Sequence, residues 1–203
     1  MSAPSPGPGD ALLVVDVQND FVTGSLAVPD GEAVVAPINR AAALFGAREL
    51  TVVATRDWHP PDHCSFREQG GPWPPHCVAG TEGAGLVPGL RLPADTLHVF
   101  KATRVDADAY SGFEGTSLAD DLRRRGVGRV FVGGLATDYC VLNTVRDAVA
   151  AGLDVVVLAD AIRPVEVHPG DGARAEEAMR AVGARFTTVD ALDGARPVPP
   201  SPE

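Results

Sequence analysis

The segments RVFVGG (129–134) and DVVVLA (154–159) decide the fold class of this 203-residue chain. Neither alternates between apolar and polar residues, which indicates strands buried on both faces, as in a parallel sheet. Helix-length amphipathic stretches at 31–46, 117–126, 138–152 and 171–183 separate the strand-like segments. This alternation predicts a doubly wound, three-layer α/β/α domain with a six-stranded, mainly parallel sheet. The other four strand-like segments are ALLVVD (11–16), TVVATR (51–56), TLHVFK (96–101) and ARFTTV (184–189).

Helix boundaries are predicted from capping patterns. The second predicted helix opens at Ser117 and carries Asp120 three residues on, a pattern similar to a capping box, and it stops at Gly126. The third lacks such a pattern, so Thr137 is predicted to be its N-cap, with Gly152 as its stop.

Composition argues against several classes of partner. The formal charge is −10 and the pI about 4.9, which argues against nucleic acid and anionic membranes. No apolar stretch approaches the ~20 residues of a transmembrane helix, and the N-terminal sequence does not resemble a signal peptide. With three cysteines, an odd count, these features predict a cytoplasmic protein. The sequence leaves open whether the protein is a monomer or a homo-oligomer.

One domain is predicted at 10–191, between two Pro-rich segments, 1–9 and 192–203, that are predicted to be disordered. Within the domain, residues 57–95 are rich in Pro and Gly and lack helical periodicity. Loops longer than ~15 residues in compact domains are usually functional or disordered. Because Trp, His and Cys are concentrated in this loop, it is predicted to be ordered and to bind metal and substrate.

Three chemically reactive residues follow strand-like segments. Asp16 ends ALLVVD, Lys101 ends TLHVFK, and Cys140 lies just beyond RVFVGG. Sites in open α/β sheets form at the carboxyl ends of strands, so these residues are expected at one edge of the sheet. Cys140 suits a nucleophile in the first turn of a helix, where free N–H groups favour a thiolate and can hold an oxyanion. Asp16 is then the base that takes the thiol proton, and Lys101 lowers the thiol pKa.

A second cluster offers metal ligands. Asp57 and His59 lie in RDWHP, and side chains two residues apart in extended chain point to the same face. His76, in WPPHC, can close the group from the far end of the loop, and His63 is a candidate fourth ligand. Imidazole and carboxylate ligands suit one divalent ion, and zinc, iron and manganese all fit. A cysteine-rich zinc site is a competing interpretation, ranked lower because the loop cysteines lack the C-x₂-C spacing.

Few aromatic residues lie near these groups. Phe21 and Trp73 are in or beside Gly- and Pro-rich loops, and Tyr110 follows the segment that holds Lys101. Aromatic side chains are usually part of a core, but here they could sandwich a flat ring.

Six segments together resemble one enzyme family, and on them the chain is identified as a member of the isochorismatase-like cysteine hydrolases, in the nicotinamidase/pyrazinamidase branch. The match runs from about residue 10 to 190. DVQNDF alone marks only the superfamily, whereas WPPHC and YSGFEG are more specific to this branch. The segments are DVQNDF (16–21), SLAV (25–28), RDWHPPDHCSF (56–66), WPPHCVAGTEGA (73–84), KATRVDADAYSGFEG (101–115) and GLATDYCV (134–141).

The resemblance implies hydrolysis of nicotinamide to nicotinate and ammonia, a step of NAD salvage, and hydrolysis of pyrazinamide. It implies that Cys140 attacks the carboxamide carbon to form a thioester, with Asp16 as general base and acid and Lys101 supporting the thiolate. The backbone N–H groups of Ala136 and Cys140 would form the oxyanion hole, beside a cis peptide bond between Leu135 and Ala136.

The resemblance also implies a metal ion that binds the ring nitrogen. Asp57, His59 and His76 would hold the ion, zinc ahead of iron or manganese, and only some members use a ligand at the position of His63. Some members have a histidine at the position of Tyr139. Metal and nucleophile together would hold a flat ring in attack geometry. The ring pocket would be lined by Phe21, Leu26, Trp73, Tyr110, Leu135 and Tyr139.

Two other interpretations remain open at this point. One is a metal-free relative that acts on carbamoyl or ureido compounds; such relatives keep the cysteine but lack the Asp-x-His and distant His set. Isochorismatases lack the cysteine. The other is a non-catalytic binder of pyridines, or a structural α/β domain, which would not require Asp16, Lys101 and Cys140 together. Metal content tests the first, and amide hydrolysis tests the second.

Overall fold

The strand-like segments form one parallel sheet in this computed structural model, which describes residues 5–192. The strand order is β3-β2-β1-β4-β5-β6, and every neighbouring pair is parallel. This is the doubly wound order, so the predicted fold class is confirmed. The strands are β1 (Asp10–Val15), β2 (Thr51–Asp57), β3 (Leu97–Lys101), β4 (Arg129–Leu135), β5 (Asp154–Arg163) and β6 (Arg185–Thr187).

Helices cover both faces of the sheet and give the three predicted layers. On one face, Phe45 packs against Phe131 of β4 with 5.4 Å between ring centroids, and on the other Leu122, Val145 and Met179 are buried together. Among the described residues, none of the helices has the length and apolarity to cross a membrane. The helices are α1 (Asn19–Val22), α2 (Val35–Gly46), α3 (Leu118–Arg124), α4 (Leu142–Ala150), α5 (Asp171–Ala181) and α6 (Val189–Leu192).

Most predicted boundaries differ from the observed ones by a few residues. β5 continues four residues beyond the predicted 154–159, and β6 covers only the middle of 184–189 because Val189 begins α6. The predicted helix 31–46 is a 3₁₀ turn, Gly31–Val34, that leads into α2. Residues 58–96 contain one short 3₁₀ turn and no longer helix, as expected for an irregular loop.

Ser117 is the N-cap of α3, as predicted, but its side chain makes no capping hydrogen bond, and the predicted N-cap Thr137 is wrong. The Ser117 hydroxyl donates to the Asp121 carboxylate at 2.7 Å, and it is the Thr116 hydroxyl that accepts the N–H of Leu118. Thr137 is the first residue of a π-helical turn, Thr137–Val141, and its N-cap is the extended Ala136. The Ala136 carbonyl accepts two N–H groups of this turn, so no hydroxyl cap is needed to close it.

The structure describes a few residues on either side of the predicted domain, 10–191. Residues 5–9, within the segment predicted to be disordered, are held by hydrogen bonds from Arg48 to the Ser5 hydroxyl and the Pro6 carbonyl. Leu192, the first residue of the predicted tail, is buried in α6. The rest of the two predicted disordered segments, 1–4 and 193–203, lies outside the described residues.

The sheet order defines where a site can form. Strand order reverses between β1 and β4, and in doubly wound sheets ligands bind beyond the carboxyl ends of the strands at this reversal. Asp16 directly follows β1, and the π-helical turn that carries Cys140 follows β4 after one residue. In addition, the register pairs Asp57 with Lys101 at the ends of β2 and β3. The parallel pairing of the strands therefore brings four predicted site residues to one edge of the sheet: Asp16, Asp57, Lys101 and Cys140.

Candidate active site

Lys101, the only lysine of the chain, connects the predicted catalytic residues. Its side chain is buried, and its Nζ lies 3.0 Å from Asp16 Oδ2 and 3.5 Å from Cys140 Sγ. Nζ also forms an ion pair with Asp57 and donates to the carbonyl of Ala109 at 3.1 Å. Burial disfavours the charge, but Asp16 and Asp57 outweigh it and hold the pKa of Lys101 well above its ordinary value. The amine is therefore a permanent ammonium group.

Asp16 occupies a fixed position beside the thiol. Its backbone is left-handed, with φ of 48°, and one carboxylate oxygen accepts the hydroxyl of Thr55 at 2.7 Å. One carboxylate oxygen each of Asp16 and Asp57 and the sulfur of Cys140 lie within 4.8 Å of one another. The carboxylate of Asp16 thus lies beside the thiol of Cys140, the position that a general base requires.

Burial raises the pKa of the Cys140 thiol well above its ordinary value, and Lys101 only partly offsets this effect. The predicted lowering by Lys101 acts in the expected direction, but burial and the carboxylates of Asp16 and Asp57 outweigh it. The resting residue is therefore a thiol, and a neighbouring base has to take its proton before it can attack. The peptide bond between Leu135 and Ala136 is cis, as the resemblance implies.

Asp57, His59 and His76 are buried together, and one ligand atom of each lies within 4.8 Å of the others. His59 Nδ1 lies 3.3 Å from the carbonyl of His76, and His76 Nδ1 lies 2.8 Å from the carbonyl of Pro74. Metal-binding histidines commonly donate one ring N–H to a carbonyl in this way, which leaves Nε2 as the ligand. These three residues fit a divalent metal ion.

Burial keeps both imidazoles neutral. It lowers the pKa of His59 to about 2, with further lowering by His76, His63 and Lys101, and it lowers the pKa of His76. Neutral imidazole is the form that binds metals. Burial also raises the pKa of Asp57 to about 7 against the opposing effect of Lys101.

His63 lies apart from this group. Its ring is 4.3 Å from that of His59, but its nitrogens face the Ser65 hydroxyl at 2.7 Å and the Ala107 carbonyl at 3.2 Å. The ligand-type atoms near it belong to His59 and Asp108. This arrangement favours a hydrogen-bonding role for His63 over that of fourth ligand beside Asp57 and His76.

Two side chains that position the ligands were not predicted. The buried amide of Gln18 accepts the N–H of Asp57 at 2.8 Å and donates to the carbonyls of Asp57 and Ala84. The carboxylate of Asp20 accepts the N–H of Cys77 at 2.7 Å and so fixes the chain directly after His76. Both residues lie in DVQNDF, so the sequence shows that they are close to Asp16. It does not show their hydrogen-bond partners, Asp57 and Cys77, which are distant in the chain.

A narrow cavity brings the two clusters together. Of the predicted pocket residues, five line it, whereas Leu135 is fully buried in the core and does not. Val165 was not predicted, because the strand before it was predicted to end at 159; with the observed end of β5, the strand-end rule would have found it. The lining residues are Phe21, Leu26, Asp57, Trp73, His76, Tyr110, Ala136, Tyr139, Cys140 and Val165.

Aromatic rings form one wall of this cavity. Trp73 meets the ring of Tyr139 edge-on with 4.9 Å between centroids, and Tyr110 lies 5.5 Å from Tyr139. The Trp73 indole donates to the Tyr110 hydroxyl at 3.0 Å, and Phe21 packs against the ring of His76. A slot with aromatic walls, a thiol and metal-type ligands suits a flat heteroaromatic ring that carries an electrophilic substituent.

Comparison with known proteins finds similarity over nearly all of the chain. A model of the isochorismatase domain family matches residues 10–191. The nicotinamidase of Escherichia coli is 40% identical over 204 residues, which cover 90% of this chain and 96% of that protein.

Solved structures share the fold over nearly all of the chain. The pyrazinamidase of Pyrococcus horikoshii, solved in complex with zinc, has a TM-score of 0.85 and 47% identity over 89% of this chain and 99% of its own. PnC1 of L. infantum, solved in complex with nicotinate, has a TM-score of 0.86 and 36% identity over 94% of this chain and 98% of its own.

Proposed function

The chain belongs to the isochorismatase domain family, and on that premise we propose that it hydrolyses nicotinamide to nicotinate and ammonia. The observation that carries the proposal is that Cys140, Asp57 and His76 line one aromatic cavity. Relatives named nicotinamidase and pyrazinamidase support the substrate class. Pyrazinamide is a second substrate, since it carries the same carboxamide on a flat ring of similar size.

The reaction proceeds through a thioester on Cys140. Sγ attacks the carboxamide carbon, the C–N bond breaks, and the nitrogen leaves as ammonia. Water then attacks the thioester carbon, which releases the carboxylic acid and restores the thiol. Splitting one difficult step into two easier ones is the general advantage of a covalent nucleophile.

Asp16 moves the protons in both steps. It accepts the Cys140 proton, gives it to the departing nitrogen, and takes a proton from the attacking water. Lys101, at 3.5 Å from Sγ, stabilises the thiolate while it forms, because its own charge is fixed by Asp16 and Asp57. The backbone N–H groups of Ala136 and Cys140 stabilise the oxyanion that develops on the carbonyl oxygen.

Asp57, His59 and His76 hold one divalent ion, and zinc is the first choice because two neutral imidazoles and a carboxylate suit it. The zinc complex of the Pyrococcus horikoshii relative supports this choice. When bound, the ion would supply a Lewis acid for the ring nitrogen of the substrate. Phe21, Leu26, Trp73, Tyr110 and Tyr139 enclose the ring. A cytoplasmic location remains a prediction from composition.

The test is ammonia release from nicotinamide by three samples: the purified protein, the Cys140→Ala variant, and protein stripped by a chelator. Release that is lost in both altered samples and returns on adding zinc supports the proposal. Cys64→Ala is the matched control, because Cys64 is a free cysteine outside the cavity lining. No release from folded, zinc-loaded protein would overturn the assignment and favour carbamoyl or ureido substrates.

A further inference from the structure

Tyr139 stands between two spaces of different character. On one side is the narrow cavity with Cys140, and on the other is a surface cleft. Of the described residues, Tyr139 is the one that contributes to the lining of both spaces. The cleft lies beside α5, and its polar lining comes from Asp138, Arg146, His168, Asp171 and Arg174.

The three aromatic side chains of the cavity wall are not held equally. Trp73 and Tyr110 are joined by the indole hydrogen bond, at 3.0 Å. The hydrogen bonds of the described residues include none to the Tyr139 hydroxyl, and Tyr139 is half-buried. The Tyr139 ring contacts Trp73 and Tyr110 and packs against the core cluster that includes Cys140, and a rotation about its χ1 angle breaks no hydrogen bond of the described residues.

Two carboxylates that line the cleft act on the phenol of Tyr139. Burial raises the pKa of Tyr139, and the carboxylates of Asp138 and Asp171, which both line the cleft, raise it further. The Tyr139 ring packs at a steep angle against that of Trp73, which lines the cavity. The side chain thus borders both spaces.

The cleft offers polar partners. Asp138 is already engaged, since its carboxylate accepts the N–H groups of Val165 and Glu166 at 2.9 and 3.0 Å. Asp171 is likewise paired with Arg174. Arg146 has no ion-pair partner among the described residues, so its guanidinium remains available to a ligand.

We propose that Tyr139 is a displaceable partition that limits ring size, and that the cleft beyond it is a subsite for polar substituents on a heteroaromatic amide. The inference rests on the proposed hydrolysis, since it extends the same cavity. When Tyr139 turns aside, the cavity and the cleft become continuous, and a substituent on the ring edge extends towards Arg146. With Tyr139 in place, unsubstituted rings are favoured.

The experiment compares kcat/KM for nicotinamide with that for nicotinamides that carry a methyl or a hydroxymethyl group at ring position 5 or 6. In Tyr139→Ala, we expect the ratio of substituted to unsubstituted amide to rise at least tenfold for one of the two positions. Leu26→Ala is the matched control, because Leu26 lines the cavity and not the cleft and makes no ring contact with Tyr139. Its ratio is expected to change less than threefold.

Two further measurements keep the test decisive. In a Tyr139→Ala background, Arg146→Ala should lower the kcat/KM ratio for the hydroxymethyl amide. The ratio for the methyl amide should stay unchanged. Calorimetric binding of the same amides to zinc-loaded Cys140→Ala, with and without Tyr139→Ala, reports the subsite without turnover, so its result is independent of the proposed hydrolysis. An unchanged ratio and unchanged binding in both Tyr139→Ala and Tyr139→His would overturn the proposal.

Discussion

The two halves of the site are positioned in different ways. The strand-end half, Asp16, Lys101 and Cys140, is fixed by parallel register, since each residue ends or follows a strand of one sheet. The loop half, His59 and His76, lies in an irregular segment, 58–96, and is fixed by separate hydrogen bonds. Gln18 bonds the backbone of Asp57 and Ala84, and Asp20 accepts the N–H of Cys77. The two imidazoles face backbone carbonyls.

This difference teaches which physical change should disturb which half. Sheet register is cooperative, so the strand-end half is lost only when buried charges are left unpaired or the sheet unfolds. The loop half depends on single contacts and on its metal ion, so it can be loosened while the sheet remains intact. Asp57 belongs to both halves, because it ends β2 and is grouped with the histidines.

The largest effect is expected from Lys101→Met. The change leaves the carboxylates of Asp16 and Asp57 buried without their cation, which typically costs about 3–5 kcal/mol in the free energy of unfolding. We also expect kcat to fall by about 10³-fold or more, since the thiolate loses the ammonium group that lies 3.5 Å from Sγ. Urea unfolding and ammonia release measure the two effects.

Arg129→Met is the matched control for that change. Arg129 pairs with the buried Asp10 at the opposite, amino end of the same sheet. It should lower stability without lowering kcat per folded molecule. Equal losses of kcat in both variants would show that the strand-end half responds to sheet stability rather than to local charge.

Metal removal should act on the loop half alone. After chelation, we expect amides of residues 58–80 to exchange with deuterium at least about tenfold faster, because a ligand bound only to the folded state stabilises what it contacts. Amides of β1 and β4 should keep their protection. Hydrogen-exchange mass spectrometry makes the comparison, with His76→Asn in excess zinc as the genetic equivalent. A uniform increase over the whole sheet would contradict the division into two halves.

Gln18→Leu tests the connection between the halves. The amide of Gln18 holds both backbone groups of Asp57, and loss of such outer contacts typically lowers metal affinity about 10–100-fold. We expect that loss in zinc titrations, with a smaller change in kcat at saturating zinc.

Asn39→Leu is the control for Gln18→Leu. The Asn39 amide makes the same kind of paired backbone contact, with the Gly89 carbonyl and the Arg91 N–H, away from the cavity. Its loss should leave zinc affinity unchanged. A similar affinity loss in both variants would assign the effect to general stability.

The same difference explains how much could be predicted from sequence. Strand periodicity and the strand-end rule suffice for the fold class and for the gathering of Asp16, Lys101 and Cys140, because parallel register leaves little freedom. Asp57, His59 and His76 were predicted from residue type and resemblance, and the structure places them together. Their chemical roles remain proposals.

What could not be predicted depends on contacts between distant segments. The Gln18 amide meets Asp57, 39 residues away, and no local pattern indicates such a partner. The burial that raises the Cys140 pKa is a property of packing, so the sequence indicated only the opposing effect of Lys101. Leu135 was placed in the pocket by resemblance, whereas the structure buries it in the core.

The smallest predicted effect is a pH dependence carried by His59 in metal-free protein. Its pKa is about 2 in the folded state, so below the unfolded value of 6.5 only the unfolded state takes up the proton. Stability is therefore lost as pH falls, by about 1 kcal/mol between roughly pH 7.0 and 5.5 for this residue. Over that pH range, the free energy of unfolding of His59→Gln should fall correspondingly less than that of the wild type. Urea unfolding of chelated samples measures the difference. His98→Gln, at an exposed site, should keep most of the wild-type dependence. If the free energy of unfolding falls equally with pH in wild type and His59→Gln, His59 takes up its proton in the folded state as well. The assignment of a neutral imidazole ligand to His59 would then have to be abandoned.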